Sequence, residues 1–255
     1  MRRARLKFLS DFSAESGELL LSYANRKRTV YSKGGRDVVT SADRAVDALL
    51  ARRLAGAGFK DSVLSEESAG ALSSSGYRWI IDPVDGTSNF AHGSPLFCTS
   101  LALELDGKIV AGAVNAPILQ EFFYAERGKG AFLNGRRIHA SKAGRLYDLV
   151  VAVERQPNAR HALQSLKTEI PIARGNRLRT LGSAALDLCY VASGRFDAFF
   201  CTSIYAWDVA AAGLIVEEAG GRASMLGLKK EFSRRPFGYA ASNKAVHPSL
   251  LKALR

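Results

Sequence analysis

The chain has 255 residues, 47% of them hydrophobic and 24% charged, and carries a formal net charge of +12. That balance suits a soluble globular protein with a large core, and the length predicts one domain over 1–255, its N-terminal lobe reaching about 140 and its C-terminal lobe starting at about 141. No run approaches the roughly 18 apolar residues of a membrane span, and Ser10, Asp11 and Glu15 interrupt the apolar stretch a secretory signal needs, so neither is expected.

Leu6, Leu9, Phe12, Leu19, Leu20 and Tyr23 recur near helical spacing and predict a helix over 3–24, followed by the basic cluster NRKR at 25–28. TSADRAVDALLARRLAGAG (40–58) predicts a second helix, capped by Thr40 or Ser41, lined by Ala45, Leu49 and Leu54, and ended by Gly56 and Gly58. SVLSEE and YRWIID are short apolar runs that end in acids, as strands do whose C-terminal ends reach a shared site. LALELDGKIVAGAV (101–114) predicts a hairpin, with Asp106-Gly107 as its type I′ turn, and EFFYAERGKGAFLNGRRI (121–138) predicts further strands in a mixed or antiparallel sheet. GKG at 128–130 lacks the frame of a phosphate loop and reads as a turn.

The second half has α/β character. DLVVAVE and FDAFFC predict strands, SAALDLCYVASG a helix stopped by Gly194, and WDVAAAGLIVEEAGG a helix closed by Gly220 and Gly221. FGYAAS and SNKAVHPSLLKAL predict a last strand and a last helix. Cys98, Cys189 and Cys201 lie far apart, are odd in number, and predict reduced core thiols in a cytoplasmic protein. The excess of Lys and Arg suits nucleic acid, an anionic membrane or an anionic small molecule, but beyond short clusters such as Arg174, Arg177 and Arg179 it is scattered. No nucleic-acid motif accompanies it, so a basic surface is the plainer reading. His92, His139, His161 and His247 share no spacing and read as surface or packing residues.

The chemistry gathers in WIIDPVDGTSNF (79–90). Carboxylates beside an apolar run are costly unless paired, either by solvent at a turn or by a metal ion. Asp82 sits where the strand Trp79–Ile81 ends, Pro83 removes an amide donor and stops the ladder, and the Val84 carbonyl is free to face outward. Asp82 and Asp85 then project from one bend, Gly86 permits close approach of the backbone, and Thr87 caps a helix that starts at SNF. Carboxylate and carbonyl oxygens suit Mg²⁺, and helix amides suit a phosphate. Each motif also has an ordinary reading: DPVDG as a turn, SEES as a loop capped by Ser65, and Asp208 as a helix-start acid.

Together, SEES (65–68), WIIDPVDGTSNF (79–90) and WDVAAAGLIVEEAGG (207–221) resemble the inositol monophosphatase family of Mg²⁺-dependent phosphatases, with weaker matches at DVVTSAD (37–43) and LGSAALDLC (181–189). The resemblance implies one catalytic domain of stacked αβαβα layers, usually a homodimer. It implies hydrolysis of inositol monophosphate or a related sugar or polyol phosphate by in-line water attack at two metal ions, without a covalent phosphoenzyme. Carried over, it makes Glu66, Asp82 and the Val84 carbonyl ligands of one Mg²⁺, and Asp82, Asp85 and Asp208 ligands of a second. Glu66 and Thr87 orient the water, and the amides of Gly86 and Thr87 hold the phosphate. Gly182, Ser183 and Ala184, with Asp85 and Asp208, match the substrate side. Asp43 falls where an acid serves a looser third ion, and Glu67 sits behind the ligands.

Two departures bear on the substrate. Relatives acting on inositol phosphate carry a glutamate seven residues before the W-D aspartate, where this chain has Cys201. A thiol is a poor acceptor, so that polyol contact is lost or supplied elsewhere, which predicts a broad enzyme. GTSNF in place of the G-T-K-E-F of adenosine bisphosphate phosphatases argues for a sugar or polyol phosphate, and the +12 charge favours fructose 1,6-bisphosphate as an alternative. A basic, nucleic-acid-associated regulator on the same fold is the rival from another class. Retention of every acid argues against it.

Overall fold

Helices α1 (Arg2–Ala24) and α2 (Ser41–Ala57) form the first outer layer of a computed structural model that describes residues 2–25, 30–34, 37–68, 75–154, 169, 172–227 and 232–254. Residues 26–28 of the basic cluster, and His161, lie outside the described residues. Of the two candidate caps of α2, Thr40 serves: its hydroxyl accepts from the Ala42 amide, and the Asp43 carboxylate accepts from the Thr40 amide. The helix runs through Gly56 and stops at Gly58, whose φ of 67° is left-handed. Phe8, Leu9, Phe12, Leu49 and Leu50 pack on Trp79, Ile81, Leu101 and Leu103 of the sheet below.

That sheet has seven strands in sequence order: β3 (Ser62–Ser65), β4 (Tyr77–Asp85), β5 (Cys98–Leu105), β6 (Lys108–Ala116), β7 (Glu121–Glu126), β8 (Gly130–Leu133) and β9 (Arg136–Arg137). Only β3 and β4 are parallel; the rest form an antiparallel meander. The turn between β5 and β6 has positive φ at both Asp106 and Gly107, as predicted for a type I′ hairpin. Alternation splits β4 between two cores, with Trp79 and Ile81 towards α1 and α2, and Ile80 towards the molecule's middle.

The middle layer is α4 (Ala184–Ala192) with α5 (Ala206–Glu218). The small-residue run of α5 permits close contact: a Cβ on Gly112 of β6 would lie 2.8 Å from the Ala211 Cα. On the far side lies a five-stranded sheet in the order β11 (Arg177–Arg179), β10 (Val150–Val153), β12 (Ala198–Ile204), β14 (Phe237–Asn243), β13 (Gly221–Leu226), with β11, β10 and β12 parallel. Helix α6 (His247–Ala253) covers its outer face through Leu250. The layers are therefore αβαβα, as expected.

Several details differ from the sequence reading. The hairpin of β1 (Val30–Gly34) and β2 (Asp37–Thr40), and strands β11 and β13, were not predicted. Arg177 and Arg179 are the exposed residues of edge strand β11, a basic edge that discourages pairing with another chain. Among the described residues, no helix is long and apolar enough to cross a membrane.

Candidate active site

Strand β4 does not stop at Asp82. It continues to Asp85 through a bulge, with Asp82 opposite Ser100, Asp85 opposite Cys98, and Pro83 and Val84 between them. Proline is tolerated there because a bulge residue owes the ladder no amide. The Val84 amide donates to Asp82 Oδ1 at 3.0 Å, which turns that carboxylate back over the bulge. Gly86 has φ of 90°, and a Cβ there would sit 2.8 Å from the Leu96 carbonyl oxygen, so both conformation and space require glycine. Helix α3 (Thr87–His92) starts at Thr87 itself, which is not its cap. The Thr87 hydroxyl lies 2.9 Å from the Val84 carbonyl oxygen and 3.3 Å from Asp43 Oδ1, so it can donate to either. The Asn89 amide donates to the carbonyls of Leu96 and Leu181, both at 2.7 Å, tying this bend to the segment that leads into α4.

Two later elements complete the cluster. At the start of α4, the Ser183 hydroxyl donates to Asp85 Oδ2 at 2.6 Å, the Ala185 amide to the same oxygen at 2.7 Å, and the Ala184 amide to Oδ1 at 3.3 Å. In the first turn of α5, Asp208 Oδ2 accepts from the Tyr205 amide at 2.9 Å. Asp82, Asp85 and Asp208 each bring an oxygen within 4.8 Å of the others. Glu66 joins from the end of β3, and the Arg234 guanidinium holds its segment by donating to the carbonyls of Ser65, Ser68 and Glu66 while lying over the Trp207 ring.

These groups line a cleft of about 260 Å³ in which no described lining residue is cationic. Burial, then the charges of Glu66, Asp85 and Asp208, raise the Asp82 carboxyl well above its ordinary range. Burial, then Asp85, does the same to Asp208. Asp85 is raised by burial against the opposing pull of Ser183 and the α4 amides. Asp43 is pushed up to about 6, chiefly by burial and against its bonds to Thr40. Convergent buried and half-buried carboxylates with no cation among the described lining residues fit a divalent cation, because hard oxygen donors are what Mg²⁺ takes.

Of the residues singled out in the sequence, Glu66, Asp82, Val84, Asp85, Gly86, Thr87, Gly182, Ala184 and Asp208 all line the cleft. Ser183 does not, because its hydroxyl is turned onto Asp85 behind the wall. Asp43 stands behind Thr87, and the Glu67 amide donates to the Ser65 hydroxyl at 3.2 Å, with neither residue on the cleft wall. Cys201 is 1% exposed, and its thiol donates to the Ser203 carbonyl. Sequence reasoning missed Glu154, Tyr205 and Trp207, which also line the cleft, and Arg234. Glu154 carried a usable signal, since VVAVE is another apolar strand run ending in an acid.

The chain is similar to known proteins along its whole length. A profile described as the inositol monophosphatase family matches residues 2–255. An inositol-1-monophosphatase of Mesorhizobium japonicum is 36% identical over 261 residues, covering 100% of this chain and 94% of that protein. A fructose-1,6-bisphosphatase/inositol-1-monophosphatase of Thermotoga maritima is 36% identical, covering 98% of this chain and 95% of its own length. The crystal structure of extragenic suppressor protein suhB from Bartonella henselae superposes with a TM-score of 0.91 at 37% identity, covering 99% of this chain and 98% of that one.

Proposed function

We propose, from the premise that the chain belongs to the inositol monophosphatase family, that it is a Mg²⁺-dependent phosphomonoesterase acting on a phosphorylated polyol or sugar. The observation that carries this reading is the trio Asp82, Asp85 and Asp208, gathered within 4.8 Å in a cleft that also holds Glu66. Asp82, Asp85 and Asp208, with Glu66 and the Val84 carbonyl, would hold the Mg²⁺. When bound, the ions polarise the phosphoryl group, lower the pKa of water and steady the leaving oxygen.

The chain's own residues supply position. Ser183 and the α4 amides occupy acceptor sites of Asp85, and the Tyr205 amide occupies one of Asp208, which fixes both carboxylates in one orientation. Thr87 spends its hydroxyl proton on Val84 or Asp43, which leaves its oxygen to accept from the attacking water. Glu66 accepts the water's other proton. Asp43 stands behind Thr87, with its Oδ2 accepting from the Thr40 amide and its Oδ1 within reach of the Thr87 hydroxyl, and so orients Thr87. The amides of Gly86 and Thr87 bind the phosphate, and Gly182, Ala184, Tyr205 and Trp207 face the alcohol. Catalysis then lies in positioning and charge neutralisation.

The name of the Thermotoga relative supports fructose 1,6-bisphosphate as a second substrate. Phosphate release from inositol 1-phosphate, fructose 1,6-bisphosphate, histidinol phosphate and adenosine 3′,5′-bisphosphate tests the reading. The expected result is Mg²⁺-dependent turnover of inositol 1-phosphate, fructose 1,6-bisphosphate or both. Preference for adenosine bisphosphate, or turnover of none, overturns it.

A further inference from the structure

We propose that Glu154 is the specificity residue of this cleft, a carboxylate that accepts hydrogen bonds from hydroxyls of the substrate's alcohol half and so selects the monophosphate of a neutral polyol. The inference rests on the phosphatase reading above and narrows it. Glu154 follows the last residue of β10 and lines the same cleft as Asp82, Asp85 and Asp208. It is not one of the three carboxylates whose oxygens converge within 4.8 Å. Glu66 is outside that trio too, but it follows β3 of the sheet that carries the Gly86 and Thr87 amides. Glu154 comes from the other sheet beside Cys201 and is therefore assigned to the alcohol half of the ester. The described residues of that wall include Gly182, Ala184, Tyr205 and Trp207, with Asp208 of the trio following Trp207.

Strand register explains how the group reaches that position. Val153 of β10 pairs with Phe200 of β12, and the Glu154 amide donates to the Phe200 carbonyl at 3.3 Å, which sets Glu154 beside Cys201. Alternation puts Val153 and Phe200 on the face towards α6, and Ala152, Phe199 and Cys201 on the face towards α4 and α5. Glu154 follows Val153 and so shares the face of Cys201. Cys201 itself is withdrawn, its thiol donating to the Ser203 carbonyl. Burial pushes that thiol up to about 12, and the Glu154 charge adds to the shift, so the two side chains are neighbours. The acceptor absent from β12 is therefore present one strand over, on β10. A second phosphate placed here would meet this carboxylate, so of the two substrates named above the monophosphate is the one this residue favours.

The test compares wild type, Glu154→Gln and Glu154→Ala on inositol 1-phosphate and on n-butyl phosphate, which has no free hydroxyl. Mg²⁺ affinity is measured by calorimetry alongside. Glu154→Ala is expected to lower kcat/KM on inositol 1-phosphate about 10- to 100-fold, mainly through KM, as losing a hydrogen bond to a charged acceptor does. Glu154→Gln, isosteric and still an acceptor, recovers part of the loss and guards against misfolding of the alanine variant. Turnover of butyl phosphate and Mg²⁺ affinity stay within about twofold of wild type. Equal losses on both esters, weakened Mg²⁺ binding, or no loss on either ester overturns the inference. A wild type that hydrolyses neither ester with Mg²⁺ overturns the phosphatase reading itself, an outcome distinct from the other three.

Discussion

Replacing Asp82 by Asn separates folding from function. Oxygens of Asp82, Asp85 and Asp208 lie within 4.8 Å of one another, and at an effective dielectric of about 20 two unit charges at that distance repel by about 3 kcal/mol. Protonation relieves part of this, because a raised carboxyl can hold a proton at a cost of about 1.4 kcal/mol per pH unit above its pKa. A net stabilisation of about 1–3 kcal/mol is therefore expected for metal-free Asp82→Asn at pH 8, a rise in Tm of roughly 3–10 °C for a chain of this length. The sign follows from direction. The folded-state pKa of Asp82 is raised, so its contribution is favourable below the unfolded pKa and is lost as pH rises. The gap between variant and wild type should thus widen from pH 5 to pH 8. Saturating Mg²⁺ should reverse the order, since a ligand at 100 times its Kd adds about 2.7 kcal/mol to the protein that binds it. Thermal scans in EDTA and in Mg²⁺, with phosphate release measured in parallel, check this. A variant less stable than wild type in EDTA at pH 8, or one that keeps Mg²⁺-dependent turnover, refutes a role for Asp82 in holding the metal.

Substitutions at three further positions probe the surroundings. Thr87→Ala should cut kcat by a factor on the order of 10² or more with little change in KM, and Thr87→Ser should keep much of the rate; like behaviour of the two would leave Thr87 a structural residue only. Asp43, raised to about 6, should cost the metal-free protein about 3 kcal/mol as pH rises from about 4 to about 6, and Asp43→Asn should flatten that part of a urea-denaturation pH profile. An unchanged slope would mean that Asp43 titrates normally. Arg234→Met should raise the Mg²⁺ concentration for half activity about tenfold, because it frees the segment carrying Glu66, while Tm falls by only a few degrees. A large fall in Tm with unchanged Mg²⁺ dependence would assign Arg234 to folding alone.

The acids of the site were legible because each ends an apolar strand or begins an apolar helix, and a carboxylate there needs a partner. What joins them was not. Asp85 is held by Ser183, Ala184 and Ala185 about a hundred residues later, a pairing that no local pattern announces. Pro83 was read as the end of β4 because proline gives no ladder bond, yet a bulge meets the same constraint and lets the strand reach Asp85. Thr87 looked like a cap by residue type, but Gly86, free to take positive φ, holds the cap position and leaves the hydroxyl to donate to Val84 or Asp43. Strands β11 and β13 escaped notice because no residue in either is fully buried, so neither carries the alternation that marks a strand. His247, by contrast, is the packing residue it was taken for, buried between the hydroxyls of Ser224 and Ser242.

The most direct test of the central claim is phosphate release by wild-type protein stripped of metal with a chelator, dialysed, and titrated with Mg²⁺ at fixed inositol 1-phosphate. Asp82, Asp85, Asp208 and Glu66 predict no release before Mg²⁺ is added and a rate that rises to saturation as it is. Release from the stripped protein, or a rate that Mg²⁺ leaves unchanged, contradicts the account.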